Sequence, residues 1–500
     1  MKGAFSIVAM LSAAMVATAS PLWDYVNAQD DAFKWHPTGF VLNNTGLGWT
    51  GYLLNVTSGN WMTPEYSNRY TWTHQLLVVV PDKVADTTHA ALYITGGSNG
   101  QGNPKVDSED TLFCGVLAAS TGTVCGVLWQ IPNQDIIFPS DPVQPPKSRG
   151  EDAAVAFTWW DFLRHQDQPE RILYFPMTRA ASRAMDAIAQ FAPTRVPGAK
   201  LDKFLVSGAS KRGFITWFTA AVDSRVVAAA PIVMDLLNIQ ENIMHLYRDF
   251  GGFSFAFKDY CDLNLTQYLP TGEFAPLAKH IDPLEFKENL TMPKLVIDST
   301  GDEFFALDDD HYWWGMLEGE TKRLMVANAE HSMATGVIPL ITGLDAFWQS
   351  IISNTPRPEI SWTMAPDSGV IDFYTNVKPN KVVMRFSQTL DGKRRDFRLV
   401  RGDTPADPCE PQGIPVKIFG DACLVPIIWL GEDIGLVGQD EKGYHYQAVM
   451  PIPGVGWRGF LVEGYWPGPN DSTFQFTSQV SIIPQTQPYP NCTVCNCVLV

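Results

Sequence analysis

Short apolar runs alternate with amphipathic segments from about residue 90 to about residue 350. The runs of strand length include residues 91–95, 204–209, 226–234, 294–299 and 323–326. Between them, residues 151–165 and 178–191 place apolar side chains at helical spacing. This alternation is typical of a mostly parallel sheet with helices packed on its faces, and therefore predicts an α/β fold. At residues 30–80, aromatic and threonine-rich alternation predicts antiparallel strands that lead into the sheet.

Two parts of the chain depart from this alternation. Residues 235–290 form a long, aromatic-rich insertion between two predicted strands. Insertions of this length are usually caps or lids, so we expect a cap here. Beyond residue 354, short alternating segments at 381–386, 396–400 and 459–465 are separated by Gly, Pro and Asp turns. They predict a β-sandwich over residues 355–485, followed by a cysteine-containing tail at 486–500.

Chain length, net charge and the N-terminal segment indicate the number of domains, the excluded partners and the expected localisation of the protein. A chain of 500 residues is too long for one hydrophobic core, and its formal net charge is −17. Nucleic acids and anionic membranes need a basic face, so neither is an expected partner. Lys2, the apolar run at 4–17 and the triplet Ala17-Thr18-Ala19 predict a secretory signal peptide over residues 1–19. No second apolar run reaches spanning length, so we expect a secreted, extracellular protein.

If the protein is secreted, its Asn-x-Ser/Thr sequons and its cysteines can be interpreted. Six Asn-x-Ser/Thr sequons are candidate glycosylation sites in a eukaryotic host, at Asn43, Asn55, Asn264, Asn289, Asn470 and Asn491. Eight cysteines in a secreted chain favour disulfides over metal ligation. Their spacing predicts one disulfide between Cys114 and Cys125, and another between Cys409 and Cys423. The pairing of the remaining four stays open; these are Cys261, Cys492, Cys495 and Cys497.

The strongest chemical signal is a serine between small residues, in the segment GASKRG at residues 208–213. One apolar run ends at this segment and another follows it. This predicts a tight strand-to-helix turn with Ser210 at its apex, as in a nucleophile elbow. The usual pattern is G-x-S-x-G, whereas here Arg212 holds the second glycine position and Gly213 comes one place later. An ordinary strand-to-helix turn is the alternative interpretation.

The order of acid and histidine favours the nucleophile elbow. In α/β-hydrolases the serine, the acid and the histidine follow in that order, each after a strand. Asp302 follows the run at 294–299, and His331 follows the run at 323–326. We therefore predict Ser210 as nucleophile, His331 as general base and Asp302 as the acid that orients the imidazole. Asp309 is the rival orienting acid.

Asp309 belongs to the acidic run at 308–310, which could also be called a metal site. Adjacent carboxylates on a loop are more often solvated surface, so we predict no metal and no cofactor. A glycine-rich segment after the run at 91–95 predicts the oxyanion hole. Its backbone N–H donors would be Gly97 and Ser98, together with Lys211 at the start of the helix after Ser210.

Lys211 and Arg212 oppose the dipole of the helix that they begin. Glu151 or Asp152 is expected to compensate as a structural partner. Alternatively, Arg212 meets an anionic group on the substrate.

Two cap residues are further candidates for substrate contact. These are His245 and Tyr260, and packing within the cap is the alternative role for each.

Motifs distributed over about residues 35–475 carry a family resemblance. They lie at 71–74 (TWTH), 94–99 (ITGGSN), 130–134 (QIPNQ), 148–153 (SRGEDA), 208–213 (GASKRG), 301–305 (GDEFF) and 395–398 (RDFR). In this order they resemble the PhoPQ-activated pathogenicity-related proteins, a family that includes the autocrine proliferation repressors of social amoebae. The resemblance implies an α/β-hydrolase-like domain at residues 20–354 with a smaller β domain behind it. It also implies a link to extracellular growth control and chemorepulsion.

Two functions of different classes fit these observations. The first is a secreted serine hydrolase that cleaves an ester or amide in a small-molecule, glycan or peptide substrate through an acyl-enzyme. The second is an extracellular signalling protein that keeps a hydrolase scaffold and binds a cell-surface receptor. A serine, an acid and a histidine in the required order favour the first, because a pure binder has no chemical need for them.

Overall fold

The computed structural model describes residues 20–409, 414–415 and 422–500. The predicted signal peptide at residues 1–19 lies outside the described residues. The described helices are α1 (Pro21–Asn27), α2 (Glu109–Thr121), α3 (Glu151–Phe162), α4 (Tyr174–Phe191), α5 (Lys211–Val222), α6 (Ile239–Phe250), α7 (Lys258–Asp262), α8 (Ala275–Ile281) and α9 (Val337–Ile352). The strands up to residue 326 are β1 (Lys34–Asn44), β2 (Trp49–Asn60), β3 (Thr71–Pro81), β4 (His89–Ile94), β5 (Val124–Leu128), β6 (Ile136–Ile137), β7 (Ser148–Arg149), β8 (Lys203–Ala209), β9 (Val226–Ile232), β10 (Lys294–Ser299) and β11 (Thr321–Val326).

Nine of these strands form the central sheet, in the order β1-β2-β3-β5-β4-β8-β9-β10-β11. β1, β2 and β3 are antiparallel, as predicted for residues 30–80, and β3 is also antiparallel to β5. From β5 to β11 all neighbours are parallel. The fold is α/β-hydrolase-like. Because the carboxyl ends of parallel strands lie at one edge, the loops after β4, β8, β10 and β11 can meet there.

Helices bury both faces of this sheet. Successive side chains of a strand point to opposite faces, so Leu205 and Val206 of β8 belong to different core clusters. The cluster that contains Val206 includes side chains from α4 and α5. The cluster that contains Leu205 includes side chains from α2 and α9. Because both faces of the parallel strands are buried, their sequences are nearly continuous apolar runs and do not alternate between apolar and polar residues.

The predicted cap range, residues 235–290, contains α6, α7 and α8. A disulfide between Cys261 of α7 and Cys497 joins it to the C-terminal tail, and a second tail disulfide joins Cys492 and Cys495. These bonds resolve the pairing that the sequence left open. Both predicted disulfides are confirmed, and they join Cys114 to Cys125 and Cys409 to Cys423.

The C-terminal part is built from short antiparallel strands. They are β12 (Ile360–Ala365), β13 (Val370–Thr375), β14 (Lys381–Gln388), β15 (Val400–Gly402), β16 (Ile414–Pro415), β17 (Ala422–Leu424), β18 (Leu430–Asp433), β19 (Leu436–Asp440), β20 (Gly443–Val449), β21 (Arg458–Pro467), β22 (Thr473–Thr477) and β23 (Ser481–Ile483). One sheet has the order β12-β13-β20-β19, and another β18-β14-β21-β22 with β23 beside β21. Phe373 of β13 and Phe460 of β21 share one core cluster, as expected for a β-sandwich.

One predicted strand in this region is wrong. Residues 396–399 are irregular, and β15 begins only at Val400. The Asp396 carboxylate accepts hydrogen bonds from the Arg398 backbone N–H at 3.0 Å and from its guanidinium at 3.0 and 2.7 Å. Such local side-chain bonds compete with a strand ladder.

Among the described residues, no helix has the length and apolar character needed to cross a bilayer.

Candidate active site

Ser210 lies at the apex of a sharp turn between β8 and α5. Its backbone dihedrals, φ 58° and ψ −128°, are unusual for a residue other than glycine. A Cβ at Gly208 would lie 2.9 Å from the carbonyl oxygens of Ile94 and Arg212, and one at Gly213 would lie 2.4 Å from Cβ of Met234. This packing explains why the second glycine of the motif lies at residue 213 and not at 212. Residue 213 is the position where Met234 leaves no room for a side chain.

Three loops bring Ser210, His331 and Asp302 together. Nε2 of His331 lies 2.8 Å from Oγ of Ser210, and its Nδ1 lies 2.8 Å and 3.0 Å from the carboxylate oxygens of Asp302. Asp302 is itself held by the N–H groups of Phe304 at 2.7 Å and Phe305 at 3.2 Å. Asp309 is not part of this chain of hydrogen bonds, so the geometry selects Asp302 as the partner of the imidazole.

Charges near His331 favour its protonated form. Burial lowers the pKa of the imidazole, but the adjacent Asp302 carboxylate and the Glu303 charge outweigh this effect, so the pKa lies above its ordinary value. Glu303 accepts a hydrogen bond from the His331 backbone N–H at 3.1 Å. Burial, together with the charge of Asp302, raises the pKa of Glu303 to about 7.

Replacing Glu303 with glutamine is expected to shift the pH dependence of any reaction that needs neutral His331. Such a reaction gains rate as the pH rises through the imidazole pKa. Removing the Glu303 charge lowers that pKa, so the acidic limb of the kcat/KM profile moves to lower pH. Glutamine can still accept the His331 N–H, so the high-pH plateau is retained. E320Q, at a glutamate paired with Arg357, is the control; an E303Q profile that coincides with it contradicts the prediction.

Two backbone N–H groups in the loops around Ser210 have no acceptor among the described residues. Ile94 pairs with Gly208 in the sheet, so the loops after β4 and β8 leave from adjacent strand ends. The N–H of Gly97 donates to none of the described residues, and that of Lys211 opens α5, where no helical acceptor exists. Ser98 differs from its prediction, because its N–H already donates to the Gln101 side chain at 3.1 Å.

The two cations after Ser210 pair with the predicted carboxylates. Nζ of Lys211 lies 3.0 Å from Glu151 and 2.9 Å from Asp152. Nη2 of Arg212 lies 2.6 Å from Glu151, and its Nε donates to the Ile131 carbonyl at 2.5 Å. Burial raises the pKa of the Glu151 carboxyl, but these cations lower it far more. Arg212 therefore has a structural partner and does not line the cavity beside Ser210, contrary to its proposed contact with substrate.

A mostly apolar cavity lies between the cap and the central domain. Its wall includes Ser210, Lys211, Asp152 and the cap residue Tyr260. The Tyr260 hydroxyl donates to Asp152 at 3.0 Å. The structure therefore places Tyr260 beside the serine, in a position to touch a bound group.

His245 is elsewhere, and the prediction of substrate contact is not supported. Ile243 of α6 lines the cavity, but two residues later the helix has turned by about 200°. His245 instead lies in a buried polar cluster, 2.9 Å from Asp308 and 3.4 Å from Asp249. The Arg395 guanidinium of the C-terminal part lies 2.8 Å from Asp249 and also bonds Asp308.

The acidic run at 308–310 is buried rather than solvated, which corrects the prediction. Asp308 pairs with Arg395, and Asp310 pairs with Arg323. The ligand atoms of His245, Asp249 and Asp308 are close enough to hold a metal ion. Because Arg395 already supplies positive charge to both carboxylates, no metal is needed to balance them.

Two further residues of the site were not predicted from the sequence. The Phe304 ring packs on the His331 imidazole with centroids 4.3 Å apart. The Gln134 side chain donates to the Gly97 carbonyl at 3.1 Å and to Glu151 at 2.6 Å. Gln134 lies in one of the family motifs, which was the available hint, but only the three-dimensional structure shows that it links the glycine loop to Glu151.

The sequence of this chain matches a known protein family. The sequence profile of the family described as PhoPQ-activated pathogenicity-related protein matches residues 22–398. The chain belongs to this family. Autocrine proliferation repressor protein A of Dictyostelium discoideum is 34% identical to it over 513 aligned residues, which cover 98% of this chain and 96% of that protein.

Solved structures with a similar fold include esterases. An acetyl xylan esterase from Paenibacillus sp. R4 aligns with a TM-score of 0.43 at 14% identity, covering 64% of this chain and 92% of its own. A second, from Thermoanaerobacterium sp. JW/SL YS485, aligns with a TM-score of 0.42 at 13% identity, covering 67% and 93%. A glucuronoyl esterase from Solibacter usitatus aligns with a TM-score of 0.35 at 13% identity, covering 62% and 86%.

Proposed function

We propose that the protein is a secreted serine hydrolase that cleaves an ester or amide through an acyl-enzyme on Ser210. One observation carries the proposal: the hydrogen-bonded chain from Ser210 Oγ to His331 to Asp302, with both imidazole contacts at 2.8 Å. These hydrogen bonds end at Ser210, whose backbone is strained and which directly precedes the N-terminus of α5. A purely structural serine requires neither the strain nor the aligned imidazole.

Each residue has a defined part in the proposed reaction. Ser210 Oγ attacks the substrate carbonyl while His331 Nε2 takes its proton, and Asp302 keeps the Nδ1–H in place. The negative oxygen that forms is held by the N–H groups of Gly97 and Lys211. His331 then protonates the leaving alcohol or amine, which departs and leaves the acyl-enzyme. Water, activated by His331, releases the acid and restores Ser210.

The pairing of the charged side chains near the cavity indicates which class of substrate the site can bind. Recognition of a free amine, as in an aminopeptidase, needs an unpaired carboxylate in the site. Asp152 is the only acidic residue in the described wall of the cavity, and it pairs with Lys211. The proposal therefore favours uncharged ester or amide substrates, whether small molecules, glycans or internal peptide segments.

Replacement of Ser210 by alanine tests the proposal. We expect the purified protein to hydrolyse 4-nitrophenyl acetate, and S210A to lose this activity by a factor of about 10³ or more. Ser332, which bonds Glu330, provides the control S332A; it should keep the activity. Equal rates for S210A and the natural protein would refute a nucleophilic role for Ser210.

A second function is favoured by the name of the Dictyostelium relative, a proliferation repressor. In this alternative the protein binds a cell-surface receptor, and the hydrolase scaffold presents the binding surface. Adding natural protein or S210A to growing cells separates the two. Repression by both proteins supports signalling by binding, whereas loss of repression in S210A ties the signal to hydrolysis.

Secretion and glycosylation belong to the same proposal. Of the six sequon asparagines, Asn43, Asn55, Asn264, Asn470 and Asn491 are exposed, and Asn289 is half-buried. The four disulfides among the described residues also suit an oxidising compartment.

A further inference from the structure

The cavity beside Ser210 is small and is shared between the cap and the central domain. Its volume is about 40 Å³. The cap contributes residues such as Phe257 and Leu265 to its wall, and the loop after β10 contributes Phe304. The rings of Phe257 and Phe304 lie with centroids 6.1 Å apart. One water molecule needs about 10–15 Å³ of such space, so the cavity has room for about three or four non-hydrogen atoms.

The C-terminal tail holds the cap side of this wall in place. Cys261 of α7 is joined to the tail by a disulfide, and the wall residue Thr266 donates to the Cys495 carbonyl at 2.9 Å. The tail is in turn held by the buried Arg398, which donates to the backbone oxygen of Val500 at 2.8 Å. Because these contacts restrict movement of the cap, the cavity sets a narrow limit on the length of a bound group.

The wall suits a carbon chain better than a charged group. Its charged side chains among the described residues are Asp152 and Lys211, which pair with each other at 2.9 Å. The Tyr260 hydroxyl donates to the same carboxylate at 3.0 Å. Most of the remaining wall residues are aromatic or aliphatic. An ionised group would therefore enter without a free counter-ion, whereas an apolar chain would leave water for an apolar surface.

The position of the cavity distinguishes the acyl group from the leaving group. Of the three proposed catalytic residues, only Ser210 belongs to the described wall. Ser210 would carry the acyl group, whereas the leaving group must lie near His331, which protonates it. This arrangement favours the acyl group as the occupant of the cavity.

We propose that the cavity receives the acyl group of the substrate, and that this group is an apolar chain of up to about four carbons. Leu265 and Leu269 are specificity-determining residues that limit its length. The inference rests on the proposed function. The acyl carbon bonds to Ser210 Oγ as its bond to the leaving oxygen breaks, and the serine proton passes through His331 to that oxygen.

Two esters with the same leaving group test the proposal: 4-nitrophenyl butanoate and 4-nitrophenyl hexanoate. We expect kcat/KM for the hexanoate to be at least about tenfold below that for the butanoate, because its two additional carbons do not fit the cavity. L265A removes three carbons from the wall and should raise the hexanoate-to-butanoate ratio about tenfold. L269A repeats the test at a second wall residue, so the result does not depend on the folding of one variant.

L263A is the matched control. Leu263 and Leu265 are two residues apart in the cap and similarly buried, with 5% and 4% of their surface exposed, but Leu263 is not part of the described wall. We expect L263A to leave the ratio of the two esters unchanged. A rise in L265A and L269A alone therefore reports on the cavity and not on loosening of the cap.

Equal rates for the two esters in the natural protein would overturn the inference, as would an unchanged ratio in L265A and L269A or an equal rise in L263A. Labelling by a fluorophosphonate separates this failure from a wider one. If Ser210 is labelled but the ratios behave in one of these ways, only the acyl-group inference fails. If Ser210 is not labelled and neither ester is cleaved, the proposed hydrolase function fails with it.

Discussion

Replacement of His331 by alanine is expected to lower kcat/KM for an ester by a factor of about 10⁴ or more. The imidazole is the only side chain that the described structure places within hydrogen-bonding distance of Ser210 Oγ. Without it, the serine keeps its proton and the leaving group receives none. Initial rates over a range of substrate concentrations measure the loss, and circular dichroism establishes that H331A is folded.

His165 provides the matched control for this experiment. Its side chain is 43% exposed and bonds to Asp161 at the end of α3, away from the site. H165A is expected to keep the kcat/KM of the natural protein. An H331A protein that retains more than about a tenth of the activity would contradict the role of general base, because removal of such a base typically costs orders of magnitude more.

Replacement of Arg323 by methionine should lower the free energy of unfolding by about 3–5 kcal/mol. The guanidinium of this β11 residue is fully buried, 3.0 Å from Asp235 and 3.3 Å from Asp298, and it also pairs with Asp310. Methionine fills similar space but leaves three carboxyl groups buried without their cation. Urea unfolding of R323M and the natural protein measures the difference.

The loss in R323M should grow with pH. Burial raises the pKa of Asp235 to about 7 and raises that of Asp298 well above its ordinary value, even beside Arg323. A carboxyl whose pKa rises on folding favours the folded state below its unfolded pKa and loses this contribution as the pH rises through the folded value. Without Arg323 this loss is larger, so R323M should be more destabilised at pH 8 than at pH 5.

K258M tests whether the effect depends on burial. Lys258 and Asp262 form an exposed pair, with 62% and 57% of their side chains accessible. We expect K258M to change the free energy of unfolding by about 1 kcal/mol or less. If R323M behaves like K258M, the buried cluster does not stabilise the fold as described.

Local patterns predicted the elbow and the order of its partners. Ser210, Asp302 and His331 each follow the end of a strand within five residues, and parallel strands bring their carboxyl ends to one edge. The short-range disulfide between Cys114 and Cys125 was predictable for a similar reason, since only 11 residues separate the two. The pairing of Cys261 with Cys497, 236 residues apart, depends on how the tail lies on the cap, which no local pattern encodes.

The errors arose where long-range contacts decide the outcome. The acidic run at 308–310 was expected in solvent, but Arg323, 13 residues beyond Asp310, and Arg395, 87 residues beyond Asp308, pair with it. His245 was expected near the substrate, but the direction of α6 turns it toward Arg395.

Covalent trapping tests the central claim most directly. The intact protein would be treated with a fluorophosphonate probe and digested, and the modified peptide identified by mass spectrometry. We predict a single adduct on Ser210, absent in S210A and strongly reduced in H331A. A folded protein that takes up no probe, or takes it up equally in S210A, would contradict the account.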